Sequence, residues 1–181
     1  MTLVFLLEEF SMKVFLEPLL PRILPEGVES LLISHEGKKD LEKSIPRKLR
    51  AWPKDGTQFI VVRDQDSGDC RAIKRHLASL CEQAGRPALV RIACRELEAW
   101  FLGDLAAVAE AFKKPKLARL QNKRKFRSPD TLHKPSVELA KLVPDYGKVS
   151  GARAMGPVIR VDGGSSPSFQ AFVRGIRKLA K

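Results

Sequence analysis

Gln58-Phe59-Ile60-Val61-Val62-Arg63-Asp64-Gln65-Asp66-Ser67-Gly68-Asp69 decides how this chain is read. Its apolar, β-branched run is a short strand that ends in acids and a glycine turn. Downstream, Cys70–Ala84 sets Ile73, Leu77, Leu80 and Cys81 on one helical face, stops at Gly85-Arg86-Pro87, and leads into a strand over Leu89–Ala93. Upstream, Leu3–Leu7 and Val28–Ser34 read as strands. Between them Met12–Leu20 is a short amphipathic helix with Ser11 as its N-cap and Pro21 as its stop. Lys39–Leu49 is a basic helix bent or restarted at Pro46, and Trp52-Pro53-Lys54-Asp55-Gly56 is a turn. The alternation βαβαβαβ predicts an α/β fold: a mostly parallel four-stranded sheet, right-handed crossovers, and helices on both faces.

Three of these strands end in acid: Glu8-Glu9, Asp64-Gln65-Asp66 and Glu96-Leu97-Glu98. In an open parallel sheet the carboxyl ends of the strands share one edge, and ligands bind in the crevice outside it. Carboxylates gathered there repel one another unless some take up protons, and a divalent cation relieves them. If the strand continues through residues 64 and 66, both side chains fall on one face. An EF-hand does not fit, because Gly68, Asp69 and Arg75 stand where the loop needs Asp or Asn, Gly and Glu. The DxDGT phosphatase nucleophile belongs on a first strand and continues Gly-Thr, not Ser-Gly. The bland alternative makes these acids loop charges and helix caps ahead of Cys70.

The chain has 181 residues, with 33 Lys and Arg against 21 Asp and Glu, a formal charge of +12. That excess favours a polyanionic partner. Two runs concentrate it. One holds Lys38, Lys39, Lys43 and Arg47; the other, from Lys113 to Arg127, holds Lys123, Arg124 and Lys125. Neither can bury its charges, so each is a solvated face or a surface for a nucleic-acid backbone, DNA or RNA. Residues 1–103 are expected to form the α/β core. Residues 104–181 should add a helical C-terminal extension (Leu105–Phe112, Ser136–Val143, Ala152–Ile159, Ser168–Leu179) packed on it as one domain. Three cysteines without CxxC spacing give no disulfide framework or zinc ribbon and suit a reducing cytoplasm, and no membrane span is visible. Gly37-Lys38 lacks the flanking residues of a P-loop. Of the three histidines, only His35 is placed to join the site.

The pieces Leu7-Glu8-Glu9-Phe10-Ser11, Val62-Arg63-Asp64-Gln65-Asp66, Arg95-Glu96-Leu97-Glu98-Ala99-Trp100, Lys148-Val149-Ser150-Gly151 and Ser166-Pro167-Ser168-Phe169-Gln170-Ala171-Phe172, in that order, resemble a Toprim-like family of unknown function. Its members look similar to the C-terminal nuclease domain of OLD-family proteins. The resemblance implies a Toprim-like core, with Glu8 as the strand-one glutamate and Asp64 and Asp66 as metal ligands. Glu96 and Glu98 would be the acids before the tryptophan, and Lys148 the basic group of the site. It further implies Mg²⁺ or Mn²⁺, nuclease or phosphoryl-transfer activity on nucleic acid in an OLD-type defence or DNA-processing system, and an ATPase partner. One departure stands out: Toprim nucleases often read Glu-Gly-x-x-Glu, and here Glu8 is followed four residues on by Met12. The alternative is a non-catalytic nucleic-acid-binding or partner-binding module with a degenerate site.

Overall fold

The computed structural model describes residues 1–53 and 56–181; Lys54 and Asp55, inside the expected 52–56 turn, lie outside them. The first half runs β1 (Thr2–Leu7), α1 (Phe10–Leu19), β2 (Glu29–Ser34), α2 (Lys38–Ala51), β3 (Thr57–Asp64), α3 (Cys70–Gln83) and β4 (Leu89–Ala93). The second half is helical: α4 (Glu98–Leu102), α5 (Leu105–Ala111), α6 (Arg124–Arg127), α7 (Pro135–Leu142), α8 (Lys148–Met155) and α9 (Pro167–Leu179). The fold is α/β. All strand pairs are parallel, in the order β2-β1-β3-β4.

Strand periodicity builds two apolar layers. Leu3, Phe5, Leu7, Ile60 and Val62 face one side with α1, α4, α5 and α9, whereas Val4, Leu6, Phe59 and Val61 face the other with Leu41, Ile45 and Leu49 of α2 and Leu77 and Cys81 of α3. Leu3–Leu7 of β1 and Phe59–Val62 of β3 are therefore apolar throughout, as central strands covered on both faces must be, whereas the edge strand β2 leaves Glu29, Ser30 and Leu31 exposed. Trp100 sits at the centre of the first layer, 5.1 Å from Phe172, 5.3 Å from Phe169 and 6.1 Å from Phe15 between ring centroids. Its Nε1 donates to Ser168 Oγ at 2.8 Å, while Ser166 caps α9 and donates to Asp130 at 2.6 Å. The Glu-Leu-Glu-Ala-Trp and Ser-Pro-Ser-Phe stretches thus hold each other in place.

Three local expectations change. Helix α2 passes through Pro46 without restarting, because Leu41, Ile45 and Leu49 anchor it to the sheet on both sides of the proline. Helix α8 begins at Lys148, not Ala152: its first turn is largely exposed and carries no apolar period to read. Helix α1 begins at Phe10 behind Glu9, so Ser11 lies inside the helix instead of capping it. The basic connector folds into 3-10 turns at Pro115–Asn122 and Pro129–Thr131 around α6. Gln121 fastens it by bonding Leu105 N, Phe126 O and Leu102 O, and Lys113 to Arg127 keep their charges exposed. No helix among the described residues is long and apolar enough to cross a membrane.

Candidate functional site

The strand order places the topological switch point between β1 and β3, where connections leave towards opposite ends of the sheet and a crevice opens. The ends of these two strands carry Glu8 and Asp64. Glu8 N donates to Val62 O at 3.1 Å, and Glu8 Oε2 accepts from Asp64 N at 2.9 Å, so the two chain ends are buttoned together. A cleft of about 420 Å³ lies here, lined by Glu8, Glu9, Phe10 and Ser11, by His35, Glu36 and Gly37 after β2, by Asp64 and Asp66, by Glu96, and by Lys148 and Val149 of α8. All three acidic strand ends therefore contribute, joined by the far end of the sequence.

Asp64 extends the Ile60–Val62 face of β3 and is 3 % exposed. Asp66 does not share that face. The strand ends at Asp64, and Asp66 adopts a left-handed φ of 54°, which Asp tolerates better than most side chains. Arg95, in the facing loop after β4, is also left-handed at 64°. The two loops are laced by Asp66 N to Arg95 O at 2.8 Å, Gln65 N to Ala93 O at 2.9 Å and Arg95 N to Gln65 Oε1 at 3.1 Å. Two strained residues held this way mark a place where the surroundings over-determine the backbone. Asp66 is exposed and pairs with Lys38 Nζ at 3.6 Å.

The other acids divide by task. Glu96 lines the cleft, but its Oε2 accepts from Ser136 N at 2.7 Å and so secures the start of α7. Glu98 is buried beneath the cleft, with Oε1 accepting from Tyr146 Oη at 2.8 Å. Glu9 is held by Lys148 Nζ at 2.5 Å. Asp69 alone caps α3, through Ala72 N at 2.7 Å, so the helix-cap explanation covers Asp69 but neither Asp64 nor Asp66. His35 lines the cleft with both ring nitrogens occupied: Nδ1 donates to Leu7 O at 2.8 Å, leaving Nε2 to bond Ser44 Oγ at 2.5 Å. Its nitrogens brace the β2 end.

Burial pushes the Asp64 carboxyl well above the usual range, and the charges of Glu98, Glu8 and Glu9 push it further against the opposing pull of Lys148. Glu8 is raised first by burial, opposed by the Asp64 amide. Glu98 is raised by burial, opposed by the Tyr146 hydroxyl, whose own pKa is driven up by burial and by Glu98. For Lys148 burial works against the charge, but the Glu9 bond and the Glu9, Glu98 and Asp64 charges outweigh it and raise the ammonium. Five buried side-chain atoms among the described residues have no hydrogen-bond partner. Four are here: Ser11 Oγ, Arg63 Nε, Asp64 Oδ1 and Glu98 Oε2. Arg63 is itself buried, bonds Glu42 at 2.6 Å and comes to 4.0 Å from Glu8.

Among the described residues no three His, Cys, Asp or Glu side chains stand together as a ready-made cage for one ion. The donor set is all oxygen, which suits Mg²⁺ or Mn²⁺ over Zn²⁺. Mg²⁺ in particular takes one or two carboxylates and completes its shell with water and phosphate. Sequence reasoning missed Tyr146, gave Arg63 no role of its own and took Ser11 for a helix cap, since nothing in their spacing marks a part in the site. The nucleic-acid candidates Lys38, Lys39, Lys43 and Arg47 lie exposed along α2, and Lys123, Arg124 and Lys125 lie exposed on the connector. None of these seven lines the cleft, and Lys125 is tied to Glu138.

No curated protein and no solved structure matches the chain. The profile of the family described as "Domain of unknown function (DUF4276)" matches residues 7–177, a span that includes every residue of the cleft. The chain belongs to the DUF4276 family.

Proposed function

We propose that the cleft is a divalent-cation site of a phosphodiester-cleaving protein acting on nucleic acid, as the resemblance to Toprim-type nucleases implies. One observation carries this reading: Asp64 Oδ1 and Glu98 Oε2 are buried, lack any donor, and belong to carboxyl groups raised by burial. A protein rarely leaves such oxygens unmatched, because an unpaired buried polar group costs folding energy. A cation matches them. Glu8 and Asp64 would hold it, Asp66 would join from its laced loop, and Glu98, steadied by Tyr146, would back the pair. A bound Mg²⁺ or Mn²⁺ supplies Lewis acidity and a lowered pKa for the attacking water. Lys148 keeps its proton and stands at the cleft wall, where it can exchange Glu9 for the charge gathering on phosphorus.

The test is cleavage of labelled single-stranded and duplex DNA and RNA with Mg²⁺ or Mn²⁺, by the parent and by Asp64→Asn. The expected outcome is divalent-dependent cleavage that disappears in the variant. Equal cleavage by both preparations would sink the proposal. Binding without cleavage would support the second reading, a non-catalytic module related to the ATPase-linked OLD systems that the resemblance implies. What favours that reading is Met12, fully buried in the core where the pattern has its second glutamate, together with the sequestration of Glu9 by Lys148.

A further inference from the structure

Five large hydrophobic side chains are exposed among the described residues, and two of them, Phe10 at 51 % and Val149 at 38 %, line the carboxylate cleft. Phe10 is the only aromatic of the five. Helix α1 turns Met12, Phe15, Leu16 and Leu19 into the core, yet its first residue stays out in water. The Glu9–Lys148 ion pair joins the starts of α1 and α8, and Phe10 and Val149 are the next residue along each. An apolar rim with an aromatic face thus borders an acidic floor. Beyond the floor, Asp66 and Glu96 also border a second recess of about 230 Å³, whose other walls include Arg95, His133 and Lys134. Along one edge the surface therefore passes from apolar through acidic to cationic.

That succession matches one kind of ligand. A nucleic-acid strand offers a planar base, a phosphate and then another phosphate, and unpaired bases stack on exposed aromatic side chains whatever their sequence. Bases in a duplex have both faces taken by their neighbours. We propose that the cleft takes an unpaired strand, with one base stacked on Phe10 beside Val149, the adjoining phosphate over the carboxylates, and a further phosphate in the Arg95–Lys134 recess. This inference rests on the reading of the cleft as a phosphodiester site and names its substrate class: single strands, flaps or frayed ends.

The experiment is equilibrium binding of a labelled single-stranded oligonucleotide and of its blunt duplex, in Ca²⁺ and again in EDTA. The full chain is compared with Phe10→Ala, Phe10→Trp and Lys134→Ala. The single strand should bind more tightly than the duplex. Phe10→Ala should weaken single-strand binding roughly tenfold or more, since a stacked base is worth about that much by alanine substitution. Phe10→Trp should keep the affinity, duplex binding should not respond to either change, and Lys134→Ala should weaken single-strand binding with a smaller salt slope. An unchanged single-strand affinity in Phe10→Ala, an equal loss on both ligands, or no binding of either would overturn the inference. So would self-association of the parent that Phe10→Ala abolishes without touching oligonucleotide binding, which would assign the rim to protein contact. A Phe10 effect that persists in EDTA while no divalent cation binds would leave the unpaired strand stacked on Phe10 standing and remove the metal reading, together with the phosphate over the carboxylates.

Discussion

Asp64 is held at the end of a central strand with a buried oxygen that nothing in the protein bonds, and with Glu98, Glu8 and Glu9 adding to the cost of its charge. The consequence is a pH dependence of definite sign. Asp64, Glu8 and Glu98 have folded-state pKa values above their ordinary values of 3.8, 4.5 and 4.5, so the folded state binds protons more readily than the unfolded chain. The stability these groups confer is complete below the ordinary values and is lost as pH rises through the raised ones. In denaturant melts the protein without added metal should therefore lose their contribution as pH rises above the ordinary values of 3.8 and 4.5, and Asp64→Asn should flatten that fall. The variant should be the more stable protein at the high-pH end of the melts, where the parent must carry the buried Asp64 charge. A variant that is less stable than the parent at every pH would show that Asp64 is paired in the apo protein after all. Half-buried Glu138, lowered by Lys125 and Lys141, and exposed Asp162, lowered by Arg177, act in the opposite sense and at lower pH.

Helix α8 does two jobs. It brings Lys148 to the cleft, and it seats Tyr146 beneath it. Gly151 makes that seat: a Cβ there would stand 2.1 Å from Tyr146 Cε2 and 2.7 Å from Cδ2, and a ring carbon packed in place cannot yield that far. Gly151→Ala should cost about 1–3 kcal/mol of stability by overpacking. It should also weaken divalent binding by displacing the hydroxyl that orients Glu98, an outer-shell effect of about 10–100-fold. Tyr146→Phe, which keeps the ring and removes the hydroxyl, should reproduce the loss of binding with less loss of stability. Equal binding by both variants and the parent would show that Glu98 needs no such support. At this scale the sequence was partly readable. The acidic strand ends stood out because apolar periodicity breaks sharply at Glu8, Asp64 and Glu96. Extending that period to Asp66 failed because the strand stops at Asp64, and a left-handed residue has no spacing signature. Tyr146 was invisible for a different reason: its role depends on where a distant helix lands.

The whole molecule gathers acids in the cleft, where Lys148 is the one lining cation among the described residues, and spreads its basic residues outside it. Glu8, Glu9, Glu36, Asp64, Asp66 and Glu96 line the opening, while the basic faces of α2 and of the Pro115–Thr131 connector lie exposed on the outer surface. A polyanion drawn to such a surface would be repelled from the bare cleft. On the proposed reading a cation in the cleft would remove that conflict, and the same carboxylates would become its attachment to phosphate. The parallel sheet followed from the βαβ alternation, and with it the convergence of the three acidic ends, whereas the strand order β2-β1-β3-β4 was not read from the sequence. The lacing of the β3 and β4 loops was not legible either, because two of its bonds are backbone to backbone and the third, to Gln65 Oε1, leaves no mark in the apolar pattern. Calorimetric titration of Mg²⁺ and of Mn²⁺ into the parent and into Asp64→Asn, with circular dichroism to confirm that both are folded, tests the central claim most directly. Saturable binding by the parent that is lost in the variant is the expected result. Absence of binding by a folded parent, or equal binding by the two proteins, would contradict the claim that the cleft is built for a cation.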